Sequence, residues 1–286
     1  MALTLIGATS ARSQQQKASV KNELPSLDLR SSSNLSFAQS SAYDWKEGEK
    51  GLFDIKLALN ERLSYSSKLL RCSSLVRVNL GVQRETAEQY PQGILKPTDN
   101  ELFSEYLVAL PFGWKVDPYF SANVRTQVTE SFRFVKDKAT RTAKFWDPVT
   151  SQQAAGFTYE LRGDGLSSSF RLGASFQQIR AREHTTLTDD PKTKDTKETY
   201  KADSGLELLN ESILRLDSAV TLSSRIATRT TFQDLGRWTA LWENEARVRA
   251  WKLLGVILTI NLSHNPDQSR RVQFRQSLQL GLLYDF

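Results

Sequence analysis

"QSLQLGLLYDF", Gln276 to Phe286, places apolar side chains at nearly every second position. Counting from slightly upstream, Val272, Phe274, Leu278, Leu280, Leu282, Tyr284 and Phe286 share one parity. Arg271, Gln273, Arg275, Ser277, Gln279, Gly281 and Asp285 share the other, where Leu283 is the one large apolar residue. A strand sends alternate side chains to opposite faces, so this segment is apolar on one side and polar on the other.

The same alternation recurs upstream. It runs over Phe53 to Tyr65, Leu70 to Val82, Leu102 to Phe112, Phe120 to Phe134, Phe157 to Leu161 and Leu166 to Phe176. It continues, less regularly, over Leu206 to Leu214, then over Val220 to Phe232, Trp238 to Val248 and Val256 to Leu262. With an opening strand at Leu27 to Phe37 and the last strand, about twelve strands are expected. Two residues stand against the pattern: Glu61 and Glu130 fall on the apolar parity, where a charge is costly away from a membrane rim. Leu75, Leu107, Leu209 and Ile213 fall on the polar one.

The connections alternate in length. "ETAEQYPQGILKPTD", "KDKATRTAKFWDPVTS" and the charged "EHTTLTDDPKTKDTKETYKADSG" are long, whereas "SYSSK", "GWKVDP", "RGDG" and "RLDS" are short. Trp114, Trp251, Tyr284 and Phe286 fall at the short-turn side and Trp238 near the other, as two interfacial girdles require. These features together predict an all-β fold, a membrane-spanning antiparallel up-and-down barrel over 27–286, in the bacterial outer membrane with lipid as its solvent. A soluble sandwich would share the alternating strands but not the alternating loops.

Composition narrows the chemistry. The chain has 286 residues, a net charge of +6, one cysteine (Cys72) and two histidines (His184 and His264). No disulfide, thiolate cluster or imidazole metal site is expected, and no cofactor. The mean hydropathy of −0.44 and pI of about 9.3 suit a solvated surface better than a nucleic-acid partner. Ser263 and His264 are neighbours on a strand, so they face opposite sides and make a poor hydrolytic pair; no enzyme is expected. Residues 1–26 read as the end of a secretory signal, "ALTLIGATSA", followed by a polar, disordered tail.

The chain also resembles known proteins. Its last strand, with Leu280, Leu282, Tyr284 and Phe286, resembles those that the barrel-assembly machinery reads during insertion, which implies that machinery as a partner. "NLSFAQSSAYDWKEGEKG" (Asn34 to Gly51) with "FDIKLALN", and Lys96 to Val128, resemble an uncharacterised family of barrels known only as a domain of unknown function. Phe37, Gln39, Ser40 and Trp45 carry the likeness, while Gly48 stands alone where that family has a glycine pair. The resemblance implies fold and location and lends no activity.

Function is read from the polar parity, which is rich in arginine. Arg71, Arg77, Arg125, Arg171, Arg225, Arg229, Arg247, Arg249, Arg271 and Arg275 are expected to line the lumen, with Arg62 and Arg133. Seven acids share that parity: Asp54, Glu105, Glu160, Glu207, Glu211, Glu243 and Glu245. Two readings follow. Excess arginine would make a narrow channel selective for small anionic solutes. Paired arginine would brace a non-conducting barrel, which would serve as an envelope scaffold or interaction module through its long loops.

Overall fold

The computed structural model describes residues 25–43, 52–87, 90–135, 138–182, 198–266 and 271–285. The chain forms β1 (Ser26–Tyr43), β2 (Leu52–Ser66), β3 (Arg71–Ala87), β4 (Tyr90–Ala109), β5 (Asp117–Thr126), β6 (Ser131–Val135) and β7 (Lys138–Ala143). It continues with β8 (Val149–Arg162), β9 (Leu166–Arg180), β10 (Tyr200–Arg215), β11 (Val220–Thr231), β12 (Asp234–Arg249), β13 (Leu254–His264) and β14 (Gln273–Asp285). Twelve strands close a barrel in the order β1-β14-β13-β12-β11-β10-β9-β8-β5-β4-β3-β2, while β6 and β7 pair apart from it. The barrel strands pair antiparallel in that order, β5 with β8 across the β6–β7 hairpin, and β1 seals against β14 over Ser32 to Tyr43. Closure removes the two free edges that an open sheet would leave. The fold is that of an outer-membrane β-barrel.

The register shows how steeply the strands lean. Successive partners run Tyr43, Phe274, Leu262, Trp242, Ile226, Asn210, Phe170 and Tyr159. This row begins at the long-connection end of β1 and arrives near the short-turn end of β8. One register row therefore crosses the wall from rim to rim, the stagger that closing a tilted sheet demands.

The alternation sorts the side chains as read. Leu278, Leu280, Leu282 and Tyr284 on β14 are all at least half exposed, as are Phe37, Phe120, Phe157 and Leu172 elsewhere on the outside. Such a continuous apolar belt suits hydrocarbon rather than water. Trp114 and Trp251 project from turns at the short-turn end, and Phe112 meets Trp114 edge to face at 5.5 Å. The signal-like residues 1–24, Trp45 and Phe286 lie outside the described residues.

Three details differ from the expectation. The alternation over Phe120 to Phe134 is broken after Thr126, because the Asn100 side chain on β4 captures the chain. Its Oδ1 accepts from the N–H groups of Val128 and Thr129 at 2.8 Å, and its Nδ2 donates to the Thr129 carbonyl at 2.7 Å. Arg133 therefore belongs to β6, off the barrel wall. Glu130 stands in the connection beside it and pairs with Arg141 of β7 at 3.2 Å. Lastly, Glu85 to Ala87 and Tyr90 to Asp99 are strand rather than loop: β3 and β4 continue as a ladder to Ala87 and Tyr90, past register shifts at Leu80/Val82 and Glu85/Ala87. Such irregularities add local twist, which lets a pair of strands outlast the barrel rim. Glu61 does sit on the outward face of β2, as its parity requires.

Candidate functional site

The lumen gathers nearly all the chemistry that the barrel holds. On its wall Arg171 of β9 is only 4% exposed. Its guanidinium donates to Glu105 on β4 at 2.6 Å and to Glu211 on β10 at 3.4 Å. Arg225 on β11 donates to the same Glu211 at 3.2 Å and to Glu243 on β12 at 3.1 Å. The result is an unbroken chain of alternating charge: Glu105, Arg171, Glu211, Arg225, Glu243. In the strand order β4 and β12 stand six positions apart among twelve, so the chain joins opposite walls.

Further bridges surround it. Arg71 on β3 holds Asp117 on β5 and Glu160 on β8, the latter at 2.6 Å and three strands away. Glu101 is shared by Arg77 at 3.2 Å and Arg125 at 3.1 Å, and both guanidiniums lie over the buried Phe103 ring. Arg229 reaches Asp203, Ser175 and Gln177, and Arg247 pairs with Glu245 on its own strand at 3.1 Å. Arg249, Arg271 and Arg275 also have interaction partners. Charge-assisted bonds to carboxylates suit the planar guanidinium fork, which explains why arginine rather than lysine fills these positions.

The lumen acids exceed the seven read from the sequence. Glu101, Asp117 and Asp203 join them, because each lies just beyond the alternating stretch that marked its strand. The excess of arginine falls accordingly.

Beside the charge chain lies an apolar layer. Ala109, Tyr119 and Ala154 are buried together, with Leu107 packed on them, and Leu209 is buried nearby on the same inner parity. Tyr119 occupies a trough cut by glycine. One register row reads Tyr119, Gly156, Gly173, Glu207 across β5, β8, β9 and β10. With no side chain on either glycine, the ring crosses two strands and its hydroxyl donates to Glu207 Oε1 at 3.1 Å. A Cβ added at Gly173 would stand 2.8 Å from that hydroxyl. Gln152 donates to the other oxygen of the same carboxylate.

Ser263 and His264 leave β13 on opposite faces, inward and outward, and no group of three metal-ligating side chains occurs among the described residues. Of the last-strand residues singled out for assembly, Leu280, Leu282 and Tyr284 all face outward.

Residues 37–132 match the model of a family described as a protein of unknown function (DUF3078). The chain resembles that family there. The matched region takes in Phe37, Gln39, Ser40 and Trp45 and the whole of the Lys96 to Val128 segment. No curated protein matches the chain. Among solved structures it is similar to the NanC porin, at 6% identity over 87% of this chain and 98% of that one, with a TM-score of 0.45. It is also similar to the translocator domain of the autotransporter NalP from Neisseria meningitidis, at 10% identity over 90% of this chain and 88% of that one, with a TM-score of 0.40. OmpT, an outer membrane protein of Vibrio cholerae, aligns at 7% identity over 93% of this chain and 99% of that one, with a TM-score of 0.36. At such scores the likeness adds nothing to what the closed register itself establishes.

Proposed function

We propose that this protein is a bacterial outer-membrane barrel whose lumen is braced shut by its own ion pairs, and that it serves as an envelope scaffold or interaction module through its long-connection end. The observation that carries this reading is the charge chain from Glu105 to Glu243. Strands about 4.8 Å apart and tilted about 45° give twelve of them a backbone radius of about 13 Å. Within that radius the bonds from Arg171 to Glu105 and from Arg71 to Glu160 each span three strand positions, and those of Arg225 continue the chain along the wall. Because Arg71, Arg77, Arg125, Arg171, Arg225, Arg229 and Arg247 are each held by a carboxylate, much of the positive charge that would attract an anion is neutralised.

The reading is non-enzymatic, with lipid around the barrel and the assembly machinery as the partner for β14. The long-connection end favours a scaffold role: β3 and β4 project beyond the rim, and the β6–β7 hairpin is fixed there by Asn100.

Planar-bilayer recording of the refolded protein tests the proposal. The expected result is no unitary conductance from protein that shows a heat-modifiable gel band. Reproducible steps would overturn it. If those steps prefer anions, and the double variant Arg225→Ser, Arg229→Ser moves the reversal potential toward cations, the channel with an arginine-lined lumen replaces it.

A further inference from the structure

The outer face carries a feature that neither closure nor the lumen requires. One register row reads Ser168, Ser212, Ser224, Asn244 across β9, β10, β11 and β12. All four side chains share the parity of the apolar belt. Ser224 lies between Leu222 and Ile226 on β11, and Asn244 between Trp242 and Ala246 on β12. A row of polar groups about 15 Å wide, from strands about 4.8 Å apart, thus lies within the hydrocarbon-facing surface.

The row is organised by hydrogen bonds among its own members. Ser168 and Ser212 meet at 2.8 Å, Ser224 donates to Asn244 Oδ1 at 2.9 Å, and the Trp242 indole N–H donates to Ser224 at 3.0 Å. Asn210, one outward position above Ser212, donates to Ser168 at 3.1 Å. The small side chains also leave a groove of about 310 Å³, lined by the outward Ser212, Leu222, Ser224, Asn244, Leu258 and Ile260 and reached by Ser223 and Glu245 of the inward parity.

We infer that this face is the surface through which two copies of the chain associate side by side in the membrane. A lipid tail would fill the groove but supplies neither donor nor acceptor to its polar floor. Serine and asparagine each carry both and no charge. Within its own copy Asn244 accepts from Ser224 and donates one amide hydrogen to the Ile260 carbonyl at 3.3 Å. That leaves its second N–H and a lone pair on Oδ1 to meet the same two groups of a copy turned about a two-fold axis, as an isologous contact requires. The outer faces of β10, β11 and β12 bear no charged residue between Ser204 and Leu214, Val220 and Thr230, or Trp238 and Val248, so nothing there repels its own image. Small and polar side chains are also what lets membrane-embedded surfaces approach closely, since burial of apolar area drives nothing in lipid. Trp242, 43% exposed and held by its indole N–H on Ser224, is the large side chain on this face that would pack against the partner copy.

The single cysteine supplies a control. Cys72 sits outward on β3, six positions from β11 in the twelve-strand order and so on the opposite wall. Oxidative cross-linking of full-length protein in phosphatidylethanolamine–phosphatidylglycerol vesicles should link Cys72→Ser/Ser224→Cys into a dimer and leave wild-type protein uncross-linked. Sedimentation in density-matched detergent should show wild-type dimers and at least tenfold weaker association for Ser224→Leu/Asn244→Leu, with the heat-modifiable band confirming that the barrel is folded. If that variant does not fold, the milder Ser212→Ala/Ser224→Ala must weaken association in the same direction. Wild-type protein that stays monomeric at every protein-to-lipid ratio would overturn the inference. So would cross-linking through Cys72, dimers indifferent to these substitutions, or native mass spectra showing only monomers with lipid bound.

Discussion

Replacing Arg171 with methionine is the sharpest test of the braced lumen. Methionine keeps much of the volume and removes the charge, leaving Glu105 and Glu211 without the partner that each holds at 2.6 and 3.4 Å. Removing one partner of a buried ion pair costs about 3–5 kcal/mol, because a desolvated charge is left uncompensated. Glu211 retains Arg225, so the loss falls mainly on Glu105. With a urea slope of about 2–3 kcal/mol per molar, the unfolding midpoint should fall by about 1–2.5 M. Tryptophan fluorescence in vesicles, followed by gel mobility, measures that midpoint. The companion variant Glu105→Gln/Arg171→Met removes both charges and should recover at least half of the loss. A midpoint within about 0.3 M of wild type for Arg171→Met alone would refute the brace, since such a shift is under about 1 kcal/mol on the same slope.

Four further outcomes are expected. Gly173→Val should displace the Tyr119 ring and break its bond to Glu207, lowering the same urea midpoint, whereas Tyr119→Phe should lose only the hydrogen bond, about 1–3 kcal/mol. Leu258→Asp, on the outward face of β13, should reduce the membrane-inserted fraction, while Asn79→Asp, on the inward parity of β3, should leave it unchanged; equal effects would mean that the assigned parity, and with it the register, is wrong. Asn100→Ala should increase proteolytic nicking between Gln127 and Ser131 without opening the barrel, as limited digestion would show. Removal of Phe286, which shares the sequence parity of Leu280, Leu282 and Tyr284, should lower the yield of folded protein in cells more than it lowers the stability of barrel refolded in detergent; equal losses in both would count against an assembly role.

The strands were legible because a wall between hydrocarbon and water imposes period two on every segment that crosses it. Strand ends were not, since beyond the belt nothing enforces alternation. Glu101, Asp117 and Asp203 were missed as lumen acids for that reason, and the strand residues Glu85 to Ala87 and Tyr90 to Asp99 were read as loop. The split of Phe120 to Phe134 rests on Asn100, some thirty residues upstream, a contact that only the register reveals. The lumen arginines were found by parity alone, but their partners were not: Arg171 and Glu105 are 66 positions apart in the chain. The outward row of Ser168, Ser212, Ser224 and Asn244 was present as exceptions to the apolar parity, each unremarkable singly and visible as a row only once four strands are set side by side.

The span of each lumen bond also dates it along the folding route. Arg225 bonds to carboxylates on the strands immediately beside its own, which a nearly flat sheet already brings together. Arg171 and Glu105 are separated by two intervening strands, so they meet only after the sheet has curled far enough to bring its faces together. We expect bonds of the first kind to form before the transition state for closure and those of the second kind after it. Weakening Arg225 should therefore slow barrel formation, whereas weakening Glu105 should leave that rate alone and hasten unfolding. The long bridges thus act as a latch, setting how long a finished barrel survives rather than how quickly one is made.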